Sequence, residues 1–170
     1  MILNIDRPRI KVPIESIDIL LESISIVLIV LMWLYIYTEY PSLPDTVATH
    51  FNSHGEPNDY GSKSVNLLLP SIASLMYIGL FILNRFPHLH NYMVNITEEN
   101  ALKNYRFSTR IVRIINILSM ILLAYLTYQI VESAKSNTFS LGTYFLPIVI
   151  SISILLPIFM IIYYKKINKS

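Results

Sequence analysis

His50 and His54, four residues apart and flanked by Asp45, Glu56 and Asp59, are the side chains best suited to chemistry in this chain. On a helix that spacing would set two imidazoles on one face. Here the intervening Phe51-Asn52-Ser53 and the following Gly55 point to strand and turn instead. A zinc or copper centre needs three or four convergent ligands. The sequence reading is therefore that no metal is held, that His50 hydrogen-bonds Asp45 or Asp59, and that Lys63 pairs with Asp59 or snorkels at the head of the second span. Ser53 lies beside both histidines, but nothing in sequence orients a third group as nucleophilic catalysis requires. HExxH, GxSxG, P-loop and GxGxxG patterns are absent. His88 and His90 read as turn residues at a membrane interface. The absence of cysteine excludes disulfides, thiolate metal sites and thiol nucleophiles. The expectation is a non-enzymatic protein without catalytic residues or cofactor, in which His50, Asn52, Asp59 and Lys63 organise a loop or meet a ligand.

A second position of interest is Glu22, a carboxylate inside an apolar stretch, where ionisable residues often mark ion or proton pathways. With Glu15, Asp18 and Ser25 it forms a polar stripe along one helix face. Asn116 is its counterpart in a later apolar stretch. Arg106, Arg110 and Arg113 line one broad helical face and are expected to reach lipid headgroups or to meet the acidic stripe.

The elements that must position these residues follow from composition. Of 170 residues, 54% are hydrophobic and only 14% charged, too few charges to coat a soluble domain. Four apolar runs, at 19–37, 67–83, 114–131 and 141–164, cover most or all of a hydrocarbon core of roughly 30 Å. They exceed strand length and lack alternation, so an all-α membrane protein of four transmembrane helices is expected. The boundaries read as helix 1 about 14–38, a loop at 39–64, helix 2 about 65–84, a loop at 85–97, helix 3 about 98–131, a loop at 132–140, helix 4 about 141–164 and a basic tail at 165–170. Asn95 with Glu98 has capping-box spacing for the third helix.

Eleven of the thirteen Lys and Arg residues fall in the lead, the middle loop with its following helix, and the tail; only Lys63 and Lys135 fall in the other loops. That asymmetry predicts cytoplasmic termini and an outward-facing 39–64 segment. Aromatic residues Trp33, Tyr35, Tyr37 and Tyr40, without an A-x-A pattern after them, predict an uncleaved anchor rather than a secretory signal. A net charge of +2 gives no reason to expect nucleic acid.

The 39–64 segment is dense in turn formers, and Thr46–Phe51 is β-branched and aromatic enough for a short strand. A small ordered hairpin is expected. Its string LPDTVATHFNSHGEPNDYGSK resembles the signature of the domain-of-unknown-function family 1648, small membrane proteins also represented in the N-terminal region of SdpI-type bacterial immunity proteins. The matching positions are Leu43, Pro44, His50, Phe51, Asn52, Gly55, Asp59, Gly61 and Lys63, while Ala48 stands where the family often has proline. Pro87, Asn91, Tyr92 and Thr97-Glu98-Glu99-Asn100 are similar to a Bacteroidetes-type branch. The resemblance implies a small bacterial inner-membrane protein and no established reaction. Its outer loop is expected to bind a partner or ligand in an accessory, sensor or immunity-like role, the partner being another membrane protein or a second copy. The alternatives are a small proton- or cation-coupled transporter using Glu22, and a loop-centred enzyme or metal site at His50.

Overall fold

The computed structural model describes residues 7–52, 57–136, 141–142 and 144–168. Among them four helices are long and apolar enough to cross a membrane, and the chain is a multi-pass membrane protein. They are built on α1 (Ser16–Glu39), α2 (Leu68–Leu83, whose span counts the helical turn from Lys63), α3 (Glu98–Ser136) and α4 (Phe145–Ile167). Between α1 and α2 lies an antiparallel pair, β1 (Thr46–Phe51) and β2 (Pro57–Ser62).

Each boundary that departs from the sequence expectation has a local cause. The segment Lys63–Leu67 is a 3₁₀ turn rather than the start of α2. There Ser62 Oγ accepts from Ser64 N at 3.3 Å, and Asn66 Nδ2 donates to the Lys63 carbonyl at 3.1 Å, so side chains hold the tighter turn. Helix α3 runs on to Ser136, its last turn held by Lys135 against Glu132 at 2.9 Å and Glu39 at 2.6 Å. Helix α4 begins at Phe145, after Gly142 takes a φ of 73°, a conformation that favours glycine. The expected Asn95–Glu98 box is replaced one turn-position later: Thr97 N donates to Asn100 Oδ1 at 3.0 Å, and Asn100 Nδ2 donates to the Asn95 carbonyl at 2.9 Å.

Helices α1 and α3 run parallel, as their contacts advance together from Glu15–Arg106 to Glu39–Lys135. Helix α2 is antiparallel to both and places Ala73 between Met32 and Met120 in the middle of the bundle. Helix α4 is the outlier. It touches the rest at its two ends, through Phe107 with Tyr163 and Tyr164, and through Tyr125 stacked on Phe145. Its apolar middle is exposed, as expected of a helix solvated by lipid.

The 85–97 loop is anchored rather than loose. The Tyr164 hydroxyl accepts from the amides of Met93 and Val94 at 3.0 and 3.1 Å. Arg7 donates to the carbonyls of His88 and His90 and lies 5.2 Å from the Tyr92 ring centroid. His90 is buried; its Nε2–H donates to the Leu83 carbonyl at 3.1 Å, leaving Nδ1 to accept from the Ser108 hydroxyl at 2.6 Å. Burial holds its pKa below the ordinary 6.5, aided by neighbouring His88 and opposed by the Leu83 carbonyl. The unfolded chain therefore takes up a proton that the folded loop still refuses, and stability rises with pH across that interval. Melting in detergent is expected to shift to lower temperature as pH falls below 6.5, and His90→Gln to flatten that decline; an unchanged slope would contradict the burial of a neutral imidazole.

Candidate functional site

The hairpin has a docked side and a displayed side. Val47 packs with Leu43 against Ile36 of α1 and against Val131 and Ala134 of α3, and both Leu43 and Val47 are buried. On the displayed side Thr49, His50, Asn58, Asp59 and Tyr60 are exposed. The pairing runs Thr46 with Ser62, Val47 with Gly61, Ala48 with Tyr60, His50 with Asp59 and Phe51 with Pro57. The irregularity between Ala48 and His50 leaves Thr49 unpaired, and this bulge explains Gly61. A Cβ at Gly61 would lie 2.9 Å from Thr49 Cγ2, closer than side chains approach.

Two sequence expectations are corrected in detail. Although His50 lies opposite Asp59 in the strand pairing, its side chain bonds neither Asp45 nor Asp59: its Nδ1–H donates to Asn58 Oδ1 at 2.6 Å. Asp59 turns back onto the backbone, where Oδ1 accepts from Tyr60 N at 2.9 Å. Lys63 meets Asp45 rather than Asp59, at 3.0 Å, donates to the Leu43 carbonyl at 3.4 Å, and lies 5.2 Å from the Tyr40 ring centroid. The backbone closes the same joint, Lys63 N donating to the Asp45 carbonyl at 3.0 Å. Lys63 is thus a clamp at the base of the hairpin, whereas His50 and Asp59 belong to its face. Asn52 is half-buried just after β1, and Phe51 is placed by its pairing with Pro57. Gly55, His54, Ser53 and Glu56 lie outside the described residues, and among the described ones no three His, Cys, Asp or Glu side chains converge as metal ligands would. Sequence reading missed Asn58 as the partner of His50. Near-mirror placement of the two in sequence about residue 54 is the signal that points to it.

The second constellation lies inside the bundle, where the acidic stripe meets the arginines. Asp18 is almost completely buried and accepts from Arg110 Nε at 3.2 Å and Arg113 Nη1 at 3.3 Å. Glu22 Oε1 accepts from Arg113 Nε at 3.0 Å. Glu15 bonds Arg110 and holds Arg106 at an ion-pair distance of 3.2 Å. Three carboxylates face three guanidinium groups, a ladder of forked contacts that lysine could not make. Glu22 Oε2 and Asn116 Oδ1 are buried without a protein donor. Tyr77 of α2 lies beside the Glu22 carboxylate, a contribution that nothing in the sequence signals.

Comparison with known proteins bears on the first constellation. Residues 27–73 match the family described as Domain of unknown function (DUF1648). The matched segment takes in the second half of α1, the whole hairpin and the start of α2, so the resemblance carried by the hairpin residues holds for that part of the chain. An uncharacterised protein of Archaeoglobus fulgidus is 31% identical over 115 residues, or 61% of this chain. The alignment spans 63% of that relative's own length. No solved structure matches the chain.

Proposed function

We propose that this protein is a non-enzymatic membrane component whose hairpin recognises a partner protein or ligand at the membrane surface. The observation that supports the reading is the division of labour within the hairpin. Its base is fixed by the Lys63–Asp45 clamp and by Val47 in the bundle, while the His50–Asn58 pair and Tyr60 stand exposed. A rigid base with an exposed aromatic residue beside polar groups suits recognition, because little ordering entropy remains to be lost on contact. The charge asymmetry of the loops supports an outward-facing hairpin with both termini in the cytoplasm, the arrangement of a small bacterial inner-membrane protein. The hairpin signature favours an accessory or immunity-like role.

Substitution of the displayed face tests the reading. His50→Ala and Tyr60→Ala are expected to leave the folded yield unchanged and to abolish crosslinking from a photoreactive residue at the exposed, unpaired position 49 to a partner in native membranes. Crosslinking that survives both substitutions would overturn the reading, as would the lack of any crosslinked species from the unsubstituted face.

A further inference from the structure

The ion-pair ladder grades from exposed to buried along α3, and on α1 Asp18 and Glu22 are both far less exposed than Glu15. The Glu15 and Arg106 side chains are 44% and 36% exposed; those of Arg113 and Asp18 are 11% and 4%. Asn116, one turn beyond Arg113 on the same face of α3, is 2% exposed. The parallel register of α1 and α3, constant from Glu15–Arg106 to Glu22–Arg113, sets Asn116 level with Ser25, which is also buried. Antiparallel α2 fixes the third wall. Asn84 bonds the Thr109 carbonyl and Ala73 packs on Met120, so Tyr77 falls level with Asn116. Ten residues of helix separate Glu15 from Ser25, a depth of about 15 Å, or half the hydrocarbon core.

At that depth stand two buried acceptors without a protein hydrogen bond, Glu22 Oε2 and Asn116 Oδ1, and the Tyr77 hydroxyl beside the Glu22 carboxylate adds to the same polar lining. Leaving a buried acceptor unpaired costs about 1–3 kcal/mol, so each calls for a donor. The guest must be small, and it must be neutral, since three guanidinium groups already balance three carboxylates and a further cation would be uncompensated. Water meets both conditions and brings two O–H donors for two acceptors. Just beyond, Met32, Ala73 and Met120 close the bundle with buried apolar contacts, flanked by Leu28, Met76 and Leu123. We infer that the α1–α3 ladder is a one-ended aqueous inlet, which carries water to a site between Glu22 and Asn116 and stops at the Met32–Ala73–Met120 seal. The inference is independent of the hairpin and its partner. It makes Glu22 a hydrated carboxylate in contact with one side of the membrane, without a continuous path to the other.

The unsubstituted chain in lipid vesicles supports a direct test by water-edited solid-state NMR. Polarisation from water is expected to reach the Asn116 side-chain amide as quickly as the Arg106 guanidinium, and the Met120 methyl much more slowly. An Asn116 signal that builds up as slowly as Met120 would overturn the inlet. Because the chain has no cysteine, a second measurement is available with silver ion, a water-sized probe that replaces the thiol proton and so leaves the loaded site neutral. With silver on both faces, Ser25→Cys is expected to be blocked against later alkylation about tenfold faster than Ala73→Cys. Equal slow blocking at both positions refutes the inlet, and equal fast blocking refutes the seal.

Discussion

Arg113→Met is expected to cost about 3–5 kcal/mol of stability, the largest loss from any single change in the ladder. Arg113 is the shared donor: Nη1 reaches Asp18 Oδ1 and Nε reaches Glu22 Oε1. Asp18 would keep Arg110, but Glu22 would lose its guanidinium partner, with one oxygen already lacking a protein donor. Methionine fills a similar volume, so the loss measures the stranded charge rather than a cavity. Arg113→Lys recovers only part, since one ammonium cannot bridge two carboxylates as the planar fork does. The decisive comparison is the double variant Arg113→Met with Glu22→Gln. Removing both charges together is expected to restore most of the stability, because the penalty lies in the unpaired carboxylate and not in the missing bridge. Thermal unfolding in one detergent, followed by size-exclusion, gives all three values. A double variant as unstable as Arg113→Met alone would show that the arginine acts by packing.

That ladder was half legible in the sequence, and the reason is geometric. The spacing Glu15, Asp18, Glu22 on one helix and Arg106, Arg110, Arg113 on another fixes two stripes, because helical periodicity is a local property. Whether the stripes face each other or the headgroups depends on the relative register of α1 and α3, which no local pattern contains. Tyr77 and the Met32–Ala73–Met120 seal escaped for the same reason, since an apolar residue in an all-apolar span carries no mark of which neighbour it meets. In the hairpin, turn formers and β-branched residues gave the strand at Thr46–Phe51 to the residue. The side-chain partners did not follow, because the bulge at Thr49 sets His50 opposite Asp59 in the backbone pairing while the imidazole bonds the adjacent Asn58 and the Asp59 carboxylate turns onto Tyr60 N. Long elements with a strong period were readable, and contacts that depend on a one-residue offset were not.

The hairpin's docked side offers the other large effect. Val47→Asp is expected to cost about 3–5 kcal/mol, because it sets a carboxylate among Ile36, Leu43, Val131 and Ala134, none of which can pair with it. The cations at this end are already engaged, Lys63 by Asp45 and the Leu43 carbonyl and Lys135 by Glu39 and Glu132. Tyr60→Asp adds the same charge to the displayed side, where the residue is 58% exposed, and should change stability by no more than about 0.5 kcal/mol. The contrast isolates docking from charge, since the two positions lie on neighbouring rungs of one ladder. Loss at position 47 should also be local. The α1–α3 ion pairs lie far along the helices, so helix content should persist while protease cuts within 43–63 become frequent. Lowering the pH toward the ordinary aspartate range, about 4, should recover part of the loss as the introduced carboxyl takes up a proton. Equal destabilisation by the two substitutions, or cleavage spread evenly over all loops, would mean that the hairpin is not docked through Val47. The rigid base on which the recognition reading stands would then be gone, whatever the exposed face contributes.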